Sequence, residues 1–466
     1  MKSPLRSAFA LLLLAAWIPA ATAADDWDEM ATILKRIVPP TFPARDFPVG
    51  DFGAVGDGKT NCHPAFVKAI DACTKVGGGR VVVPAGTFLC NGPINLKSNV
   101  NLHIGEGATI LFGAEAAYYL PVVLTRFEGT MFYGHSPRIY AKDQTNIAIT
   151  GKGTIDGNAR GTFPLMPPFK SFDGSTELRQ MGAAGVPVEQ RIFGEGRWLR
   201  PSMIQPFGCT NVLIEGVTLK DSTFWVVHPV LCRNVTVRGL TVDTMNPNND
   251  GCDPDSCTDV LIERCNFHTG DDSIAIKSGR DQDGWRVGQA SENIVIRHCI
   301  FGSRHSGLCL GSEMSGGVRN IFVEDCHVDS VSSAFYFKSN LDRGGVVEHV
   351  RARRIDADEV REGFVRFETG YHGWRGENHP PTFRHFVLED LTCKRATAYG
   401  IYVEGVEGAP ITGVVVRRAT IDSAQVPFWL RRADGVRLEA VKINGVVQPA
   451  QPPPTPAGET KLKISA

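Results

Sequence analysis

One pattern repeats along the chain as TNVLIEGVTL (210–219), RNVTVRGLTV (233–242), TDVLIERCNF (258–267), ENIVIRHCIF (292–301) and RNIFVEDCHV (319–328). Anchored on Asn211, Asn234, Asp259, Asn293 and Asn320, the copies follow one another at steps of 23, 25, 34 and 27 residues. A repeat of this length that carries strand alternation but no helical period is typical of a solenoid with one coil per repeat. The pattern therefore predicts an all-β fold, a single-stranded parallel β-helix.

The two ends of the chain differ from this pattern. Residues 1–23, MKSPLRSAFALLLLAAWIPAATA, combine basic residues, a short apolar run and a small-residue cleavage site, which predicts a secretory signal peptide. The mature domain is then expected over 24–447. The Pro-rich, polar segment 448–466 is expected to be a disordered tail.

Two departures interrupt the solenoid. Residues 62–75 carry apolar residues on one helical face, and this short helix is expected to cap the open N-terminal end of the β-helix. Residues 157–200 break the repeat with Gly, Pro, Phe and Met and predict a long inserted loop near the cleft. Long loops on rigid scaffolds often build binding sites.

Charge and cysteine content narrow the function classes. The formal charge is −1, and there is no basic field of the kind that nucleic-acid-binding proteins carry. No stretch beyond the signal segment is long and apolar enough to cross a bilayer. The twelve cysteines are interpreted as buried thiols that act as small hydrophobes, with disulfides between neighbouring coils as an open alternative.

Chemistry-bearing residues recur in phase on successive coils, in the segments NNDGCDPD (248–255), TGDDSIAIKSG (269–279), GSRHSGLCLGSE (302–313) and SSAFYFKSN (332–340). Asp271 follows Asp259 by 12 residues, and His305 follows Asn293 by the same 12. Aligning the strands that follow gathers one group of side chains at one sheet edge, spread over about 15 Å: Asp250, Asp271, Asp272, His305 and Lys338.

Three neighbouring carboxylates cannot all ionise cheaply, so one of them is expected to hold a proton near neutral pH. A protonated carboxyl can donate to a glycosidic oxygen while an ionised one activates water. The cluster therefore predicts acid–base hydrolysis of an acetal. Because Asp271 and Asp272 are adjacent, both can serve only if they lie at a turn or bulge.

These segments, together with DFGAVGDGKTN (51–61), GGGRVVVPAGTF (77–88) and GSEMSGG (311–317), resemble glycoside hydrolase family 28, the polygalacturonases. The resemblance covers nearly the whole mature chain and implies a right-handed β-helix. It matches Asp250 to the family's Asn-Thr-Asp motif, with Asn249 in place of Thr. It implies Asp271 as general acid, Asp250 and Asp272 as bases on one water, and inversion at the anomeric carbon.

Two positions depart from the family's motifs. Gly-His-Gly is replaced by Arg304-His305-Ser306, and the Arg of Arg-Ile-Lys is replaced by Tyr336. Loss of that Arg removes a bidentate clamp on a uronate carboxylate. We expect Arg366, at the same phase one coil later, or Arg304 to compensate; the substrate-binding set is then Lys338, Tyr336, Arg366, Arg304 and Asn249.

The function that follows is hydrolysis of α-1,4-galacturonosidic bonds in pectin or its oligomers by an exported, monomeric enzyme that needs no metal or cofactor. A further hypothesis is exo action, with 157–200 and 114–140 closing one end of the cleft. The alternative within the family is a rhamnogalacturonan or substituted-galacturonan hydrolase. The alternatives of other classes are a calcium-dependent pectate lyase and a non-catalytic pectin-binding β-helix.

Overall fold

The computed structural model describes residues 27–159, 172–197 and 199–462, so the predicted signal peptide lies outside the described residues. The first half of the β structure consists of β1 (Asp46–Pro48), β2 (Asp57–Asn61), β3 (Gly79–Val83), β4 (Gly86–Cys90), β5 (Ile94–Asn95), β6 (Val100–Ile104), β7 (Ala108–Phe112), β8 (Val123–Phe127), β9 (Thr130–Gly134), β10 (Ile139–Lys142), β11 (Thr145–Gly151), β12 (Thr154–Asp156), β13 (Ile192–Phe193), β14 (Ile204–Phe207), β15 (Thr210–Glu215), β16 (Thr218–Lys220), β17 (Arg233–Arg238) and β18 (Thr241–Thr244). The second half consists of β19 (Thr258–Glu263), β20 (Asn266–Thr269), β21 (Ile274–Ile276), β22 (Ser291–Arg297), β23 (Ile300–Ser303), β24 (Ser306–Leu310), β25 (Val318–Lys338), β26 (Val346–Glu368), β27 (Thr382–Glu404), β28 (Ile411–Thr412), β29 (Val414–Ile421), β30 (Ala424–Arg431), β31 (Ala433–Asp434), β32 (Arg437–Ile443) and β33 (Val446–Val447).

The strands stack in parallel on three faces, which confirms the single-stranded parallel β-helix. One face runs from β1 through β3, β6, β11, β15, β17 and β19 to β22, and a second from β2 through β4, β7, β12, β16, β18 and β20 to β23. The third, which we call the cleft sheet, runs through β5, β10, β14, β21 and β24 and the C-terminal parts of β25, β26 and β27 to β30.

The register of the repeat is the one that the sequence predicted. Val212, Val235, Val260, Ile294 and Ile321 pair in one continuous row inside the coil. The anchor residues before them all adopt positive φ between 54° and 58°, a conformation that Asn and Asp tolerate better than other side chains. Their amides also bond from coil to coil, as in Asn234 Nδ2 to Asn211 Oδ1 at 2.7 Å.

Helices cover surfaces that the coils leave apolar. α1 (Asp28–Arg36) lies on the outside of β19 and β22, where Ile33 packs among outward-facing Leu261, Val295 and Phe322. α2 (His63–Lys75) contacts β1, β3, β5 and β6 at the N-terminal end, where the predicted capping helix was expected. All twelve cysteines are free and buried.

The insertion leaves the coil after β12 and rejoins it at β14. It contains α3 (Phe172–Ala183) and β13, and β13 pairs with β9 of the hairpin β8–β9. Arg179 of α3 makes buried salt bridges of 2.7 Å to Asp281 of α4 (Asp281–Val287) and to Asp342. The insertion is thus anchored firmly onto the β-helix.

The C-terminal segment corrects one prediction. Residues 448–462 are bound along the last coils rather than disordered: Leu438 N donates to Ala450 O, Thr455 N donates to Leu430 O, and Leu462 N donates to the Tyr399 hydroxyl, at 2.7–2.9 Å. The polar composition of this segment indicates that it has no hydrophobic core of its own. Its backbone nevertheless forms hydrogen bonds with the last coils of the β-helix.

Candidate active site

The catalytic candidates lie in the turns that lead into the cleft sheet. The aligned residues Cys252, Ile274, Leu308 and Phe335 pair in one row, as the sequence predicted. Asp271 and Asp272 lie between β20 and β21, at the turn that their joint use requires. A Cβ on the preceding Gly270 would meet Asn246 O at 2.2 Å, so only glycine lets the two coils approach this closely.

Three carboxylates converge at this edge. Ligand oxygens of Asp250, Asp271 and Asp272 all lie within 4.8 Å of one another. Asp250 and Asp272 are almost fully buried, whereas 17% of the Asp271 side chain is exposed. Because a water bonds a carboxylate oxygen at about 2.7 Å, one water molecule can reach two of these carboxylates at once.

The surroundings shift the pKa values of the three carboxyl groups in opposite directions. Burial raises the pKa of Asp271, and the charge of Asp272 adds to that rise. Burial and the charge of Asp271 likewise raise the pKa of Asp250 well above its usual value. Burial also opposes ionisation of Asp272, but the Lys338 and Lys277 ammonium groups overcome it and lower the pKa of Asp272. Asp272 therefore holds the negative charge, and its two neighbours are biased toward holding a proton.

Direct contacts fix the charged form of Asp272. Lys338 Nζ donates to one carboxylate oxygen at 3.0 Å, and the backbone N–H of Ser306 donates to the other at 2.8 Å. Lys277 Nζ bonds Glu313 at 3.1 Å and lies 3.9 Å from Asp250. Three carboxylates this close have the spacing of metal ligands, but the two lysines already supply the positive charge, so we assign no metal here.

His305 and Arg304 form the open side of the site. His305 Nδ1 lies 3.9 Å from Asp271 Oδ1, so the shared phase of the two repeats does make them neighbours. The His305 side chain is 58% exposed, and Arg304 is exposed without an ion-pair partner in the described part of the chain. Both border a groove of about 800 Å³ that His268, Asp329 and Arg361 also line and that none of the three carboxylates lines.

Asn249 is not available to a substrate, which corrects its predicted role. It is fully buried, and its amide nitrogen donates to the backbone oxygens of Ser222 and Phe224, each at 3.1 Å. Its oxygen accepts bonds from Thr244 and from the backbone of Asn246. Asn249 thus holds the turn that carries Asp250, whereas Asn248 faces the site at 3.5 Å from Asp271.

Arg366 is in the predicted register with Tyr336, yet its charge is already neutralised. Its guanidinium bonds Glu362 and, at 2.9 Å, Glu368, and it stacks on the Tyr336 ring at 4.3 Å. Tyr336 is 7% exposed and donates its hydroxyl to Glu368 at 2.8 Å. Arg366 was predicted to bind a substrate carboxylate in place of the missing Arg. Its contacts do not support that prediction, because both of its partners are carboxylates of the protein itself.

Sequence reasoning missed Arg200, which the insertion brings to the site. Arg200 is buried, donates to the backbone of Thr223 and Pro247, and bonds Asn248 Oδ1 at 2.6 Å. It therefore fixes the residue that faces Asp271. Because Arg200 lies outside the repeat, no register signal could have placed it there.

The comparisons with known proteins agree on one family. The profile of Glycosyl hydrolases family 28 matches residues 73–430. A probable polygalacturonase of Vitis vinifera is 30% identical over 406 residues, 83% of this chain and 77% of the relative. An exo-poly-α-D-galacturonosidase of Dickeya chrysanthemi is 29% identical over 387 residues, 76% of this chain and 63% of the relative. The crystal structure of a hyperthermoactive exopolygalacturonase from Thermotoga maritima is 40% identical, with a TM-score of 0.87 over 90% of this chain and 96% of that one.

Proposed function

The chain belongs to glycosyl hydrolases family 28, and from this premise we propose that it hydrolyses α-1,4-galacturonosidic bonds of pectic galacturonan or its oligomers. The single observation that carries the proposal is the carboxylate trio, whose oxygens lie within 4.8 Å of one another while Lys338 Nζ bonds Asp272 at 3.0 Å, so that the pKa of Asp272 is lowered and burial raises the pKa of Asp271. Glycoside hydrolysis needs one carboxyl group that holds a proton and one that is ionised. The polygalacturonase and exopolygalacturonase relatives support the substrate class.

In the proposed mechanism, Asp271 donates its proton to the leaving glycosidic oxygen, and Asp272 accepts a proton from the attacking water. Asp250, whose pKa is raised, orients that water rather than competing for its proton. His305, 3.9 Å from Asp271, favours return of Asp271 to its ionised form when the imidazole is charged. We propose inversion at the anomeric carbon, because one water between two carboxylates attacks in a single displacement. Oxygens of the trio lie within 4.8 Å of one another, whereas the carboxyl groups of inverting pairs are usually about 6.5–9.5 Å apart, so product stereochemistry is the test of this step.

Recognition of the uronate carboxylate falls to Arg304 and Lys338 in this proposal. Arg304 is exposed beside His305 and has no ion-pair partner among the residues that the structure describes, and Lys338 lies at the cleft floor against Asp272. The second candidate is a rhamnogalacturonan or substituted-galacturonan hydrolase. It is favoured by Tyr336 in place of a cation and by the neutralised Arg366.

We also propose exo action, in which the insertion and the 114–140 segment close one end of the cleft. Its support is a shared apolar cluster in which Phe127 and Phe132 pack with Leu178, Phe193 and Leu199. Arg200 ties this wall to the site through Asn248. A substrate chain that enters a cleft closed at one end is cut near its terminus.

Export through the N-terminal signal segment and action as a monomer complete the proposal. Within the described residues, no helix is long and apolar enough to span a membrane. N-terminal sequencing of the protein recovered from the periplasm or the medium tests cleavage after Ala23, and light scattering tests the monomer.

The functional test is incubation with polygalacturonate and, separately, with rhamnogalacturonan, each with and without a chelator, following reducing ends and ultraviolet absorbance. Reducing ends from polygalacturonate without absorbance support the proposal, and monomer as sole early product supports exo action. Mixed oligomers early in digestion would refute exo action. Activity on rhamnogalacturonan alone selects the second candidate. An absorbing product that disappears with chelator identifies a lyase, and binding without turnover identifies a binding protein.

A further inference from the structure

Two histidines continue the row of anchor residues beyond the catalytic coils. His349 and His385 take the place of Asn320 on the next two coils, and both keep the left-handed backbone, with φ of 54° and 62°. Histidine, like Asn and Asp, tolerates this conformation better than most side chains. Because successive coils are only about 4.8 Å apart, the two imidazole rings lie next to each other, with their centroids separated by 4.9 Å. A pair of imidazoles therefore replaces the amide ladder at this point of the solenoid.

Glu348 adds a carboxylate to this pair. It directly precedes His349, and in a regular strand two adjacent side chains would point to opposite faces. The left-handed φ of His349 interrupts that alternation, and the strand pairing passes from Glu348 to Val350 without including His349. One ring nitrogen of each histidine and one oxygen of Glu348 consequently all lie within 4.8 Å of one another. His349 Nε2 is 3.9 Å from Glu348 Oε2.

The three groups are accessible to a ligand. The His349 side chain is 44% exposed, His385 is exposed, and neither imidazole makes a hydrogen bond to any residue that the structure describes. Arg384 Nε and Nη2 both bond Glu348 Oε2 at 2.7 Å, which orients the carboxylate and leaves Oε1 without a salt bridge in the described part of the chain. The equivalent position of the following coil is Gly413, so it places no side chain against His385.

We propose that His349, His385 and Glu348 bind one divalent transition-metal ion, with zinc as the best match, and that this ion ties the two coils together. Two imidazoles and a carboxylate form a zinc donor set that leaves a fourth position for water, whereas calcium and magnesium prefer oxygen donors alone. Tetrahedral donors around zinc, at bond lengths of about 2.0–2.1 Å, lie about 3.4 Å apart, so side-chain rotation has to shorten the present separations by at most about 1.4 Å.

The metal site is distinct from the catalytic one. Its residues lie in the N-terminal parts of β26 and β27, which extend the first face of the β-helix, whereas the carboxylate trio lies at the edge of the cleft sheet. A zinc ion bound here stabilises the folded chain and takes no part in hydrolysis. The inference therefore goes beyond the proposed function and does not depend on it.

The test is calorimetric titration of the protein, prepared without an affinity tag and freed of metal, with zinc chloride. Melting curves are recorded on the same samples. We expect one zinc ion to bind at this site, and an excess of calcium to leave that binding unchanged. Because an ion that binds the folded chain shifts the unfolding equilibrium by mass action, the melting temperature should rise with zinc concentration.

Two single variants locate the ion. His349→Asn and His385→Asn restore the residue type of the earlier coils, which suits the left-handed φ, so both should fold. Each should weaken zinc binding at least about tenfold, because even the groups that only support metal ligands contribute about 10- to 100-fold to affinity. Both variants should also lose the zinc-dependent rise in melting temperature.

His298→Asn is the matched control. His298 is also exposed and has a φ of 54°, but it belongs to none of the groups of neighbouring ligand side chains among the described residues. It should bind zinc as tightly as wild type. Absence of zinc binding by the wild-type protein, or wild-type zinc affinity in both the His349→Asn and the His385→Asn proteins, would overturn the inference.

Discussion

Replacing Lys338 by Met removes the ammonium that keeps Asp272 ionised, while leaving a side chain of similar length. The two charged atoms are 3.0 Å apart and both residues are buried. At an effective dielectric constant of about 20, charges at that distance attract by about 5 kcal/mol. Lys277 and the Ser306 amide remain to stabilise the carboxylate, so only part of this energy is lost.

The sign of the effect follows from the depressed pKa of Asp272. Its ionised form stabilises the fold above the unfolded-state pKa, and that contribution is lost as pH falls through the folded-state pKa. Without Lys338 the pKa of Asp272 rises, so the base form is lost at a higher pH. Since about 1.4 kcal/mol corresponds to one unit of pH, we expect the acid limb of kcat/KM to move up by at least about one unit.

The assay is the pH profile of kcat/KM on a galacturonate oligomer, with melting curves to establish folding. Lys394→Met is the matched control, because Lys394 also pairs with an Asp at 2.7 Å but is 75% exposed. It should leave the profile unchanged. An acid limb of the Lys338→Met protein that coincides with wild type would refute the assignment of Asp272 as the base that Lys338 holds ionised.

Three further variants test the roles of individual residues. Asp271→Asn should lower kcat by about 10²- to 10⁴-fold, the usual contribution of a general acid, with little change in melting temperature; wild-type kcat would exclude Asp271 as the acid. Asn249→Ala should lower stability by about 1–3 kcal/mol per buried group left unpaired, without raising KM at a temperature where it is folded; a large KM rise with unchanged stability would return Asn249 to the substrate-binding set. Phe337→Ala removes a fully buried ring that packs edge-to-face on Phe367 at 4.6 Å and stacks on Phe386 at 5.4 Å, and it should cost about 3–5 kcal/mol in urea unfolding. Val446→Ala, at a position 63% exposed, is its control, and equal losses from both would contradict the packing account.

The fold was predictable because the sequence repeat sets the register in which the strands of successive coils pair. Each repeat contains alternating apolar residues and has an Asn or Asp at one fixed position. The apolar residues specify the buried row, and the Asn or Asp specifies the turn conformation. The same register placed Asp271 beside His305 and aligned the strands that carry the carboxylates. Positions on the repeat could therefore be assigned to one sheet edge from spacing alone.

The rest depends on contacts that spacing does not encode. Arg366 lies at the predicted position of the repeat, but its guanidinium already forms salt bridges to Glu362 and Glu368. Asn249 lies in the predicted turn, but its side-chain amide donates a hydrogen bond to the backbone oxygen of Ser222. Arg200 and the 448–462 segment lie outside the repeat, so their positions follow from tertiary packing that no period describes.

The most direct test of the central claim is a proton NMR time course of wild-type protein and its Asp271→Asn variant acting on polygalacturonate with chelator present. For the wild type we predict that newly released galacturonate appears first as the β anomer and mutarotates afterwards, as inversion of an α linkage requires. The Asp271→Asn protein should release none over the same interval. Initial release of the α anomer, or equal release by both proteins, would contradict the account of a proton-donating Asp271 working with an ionised Asp272.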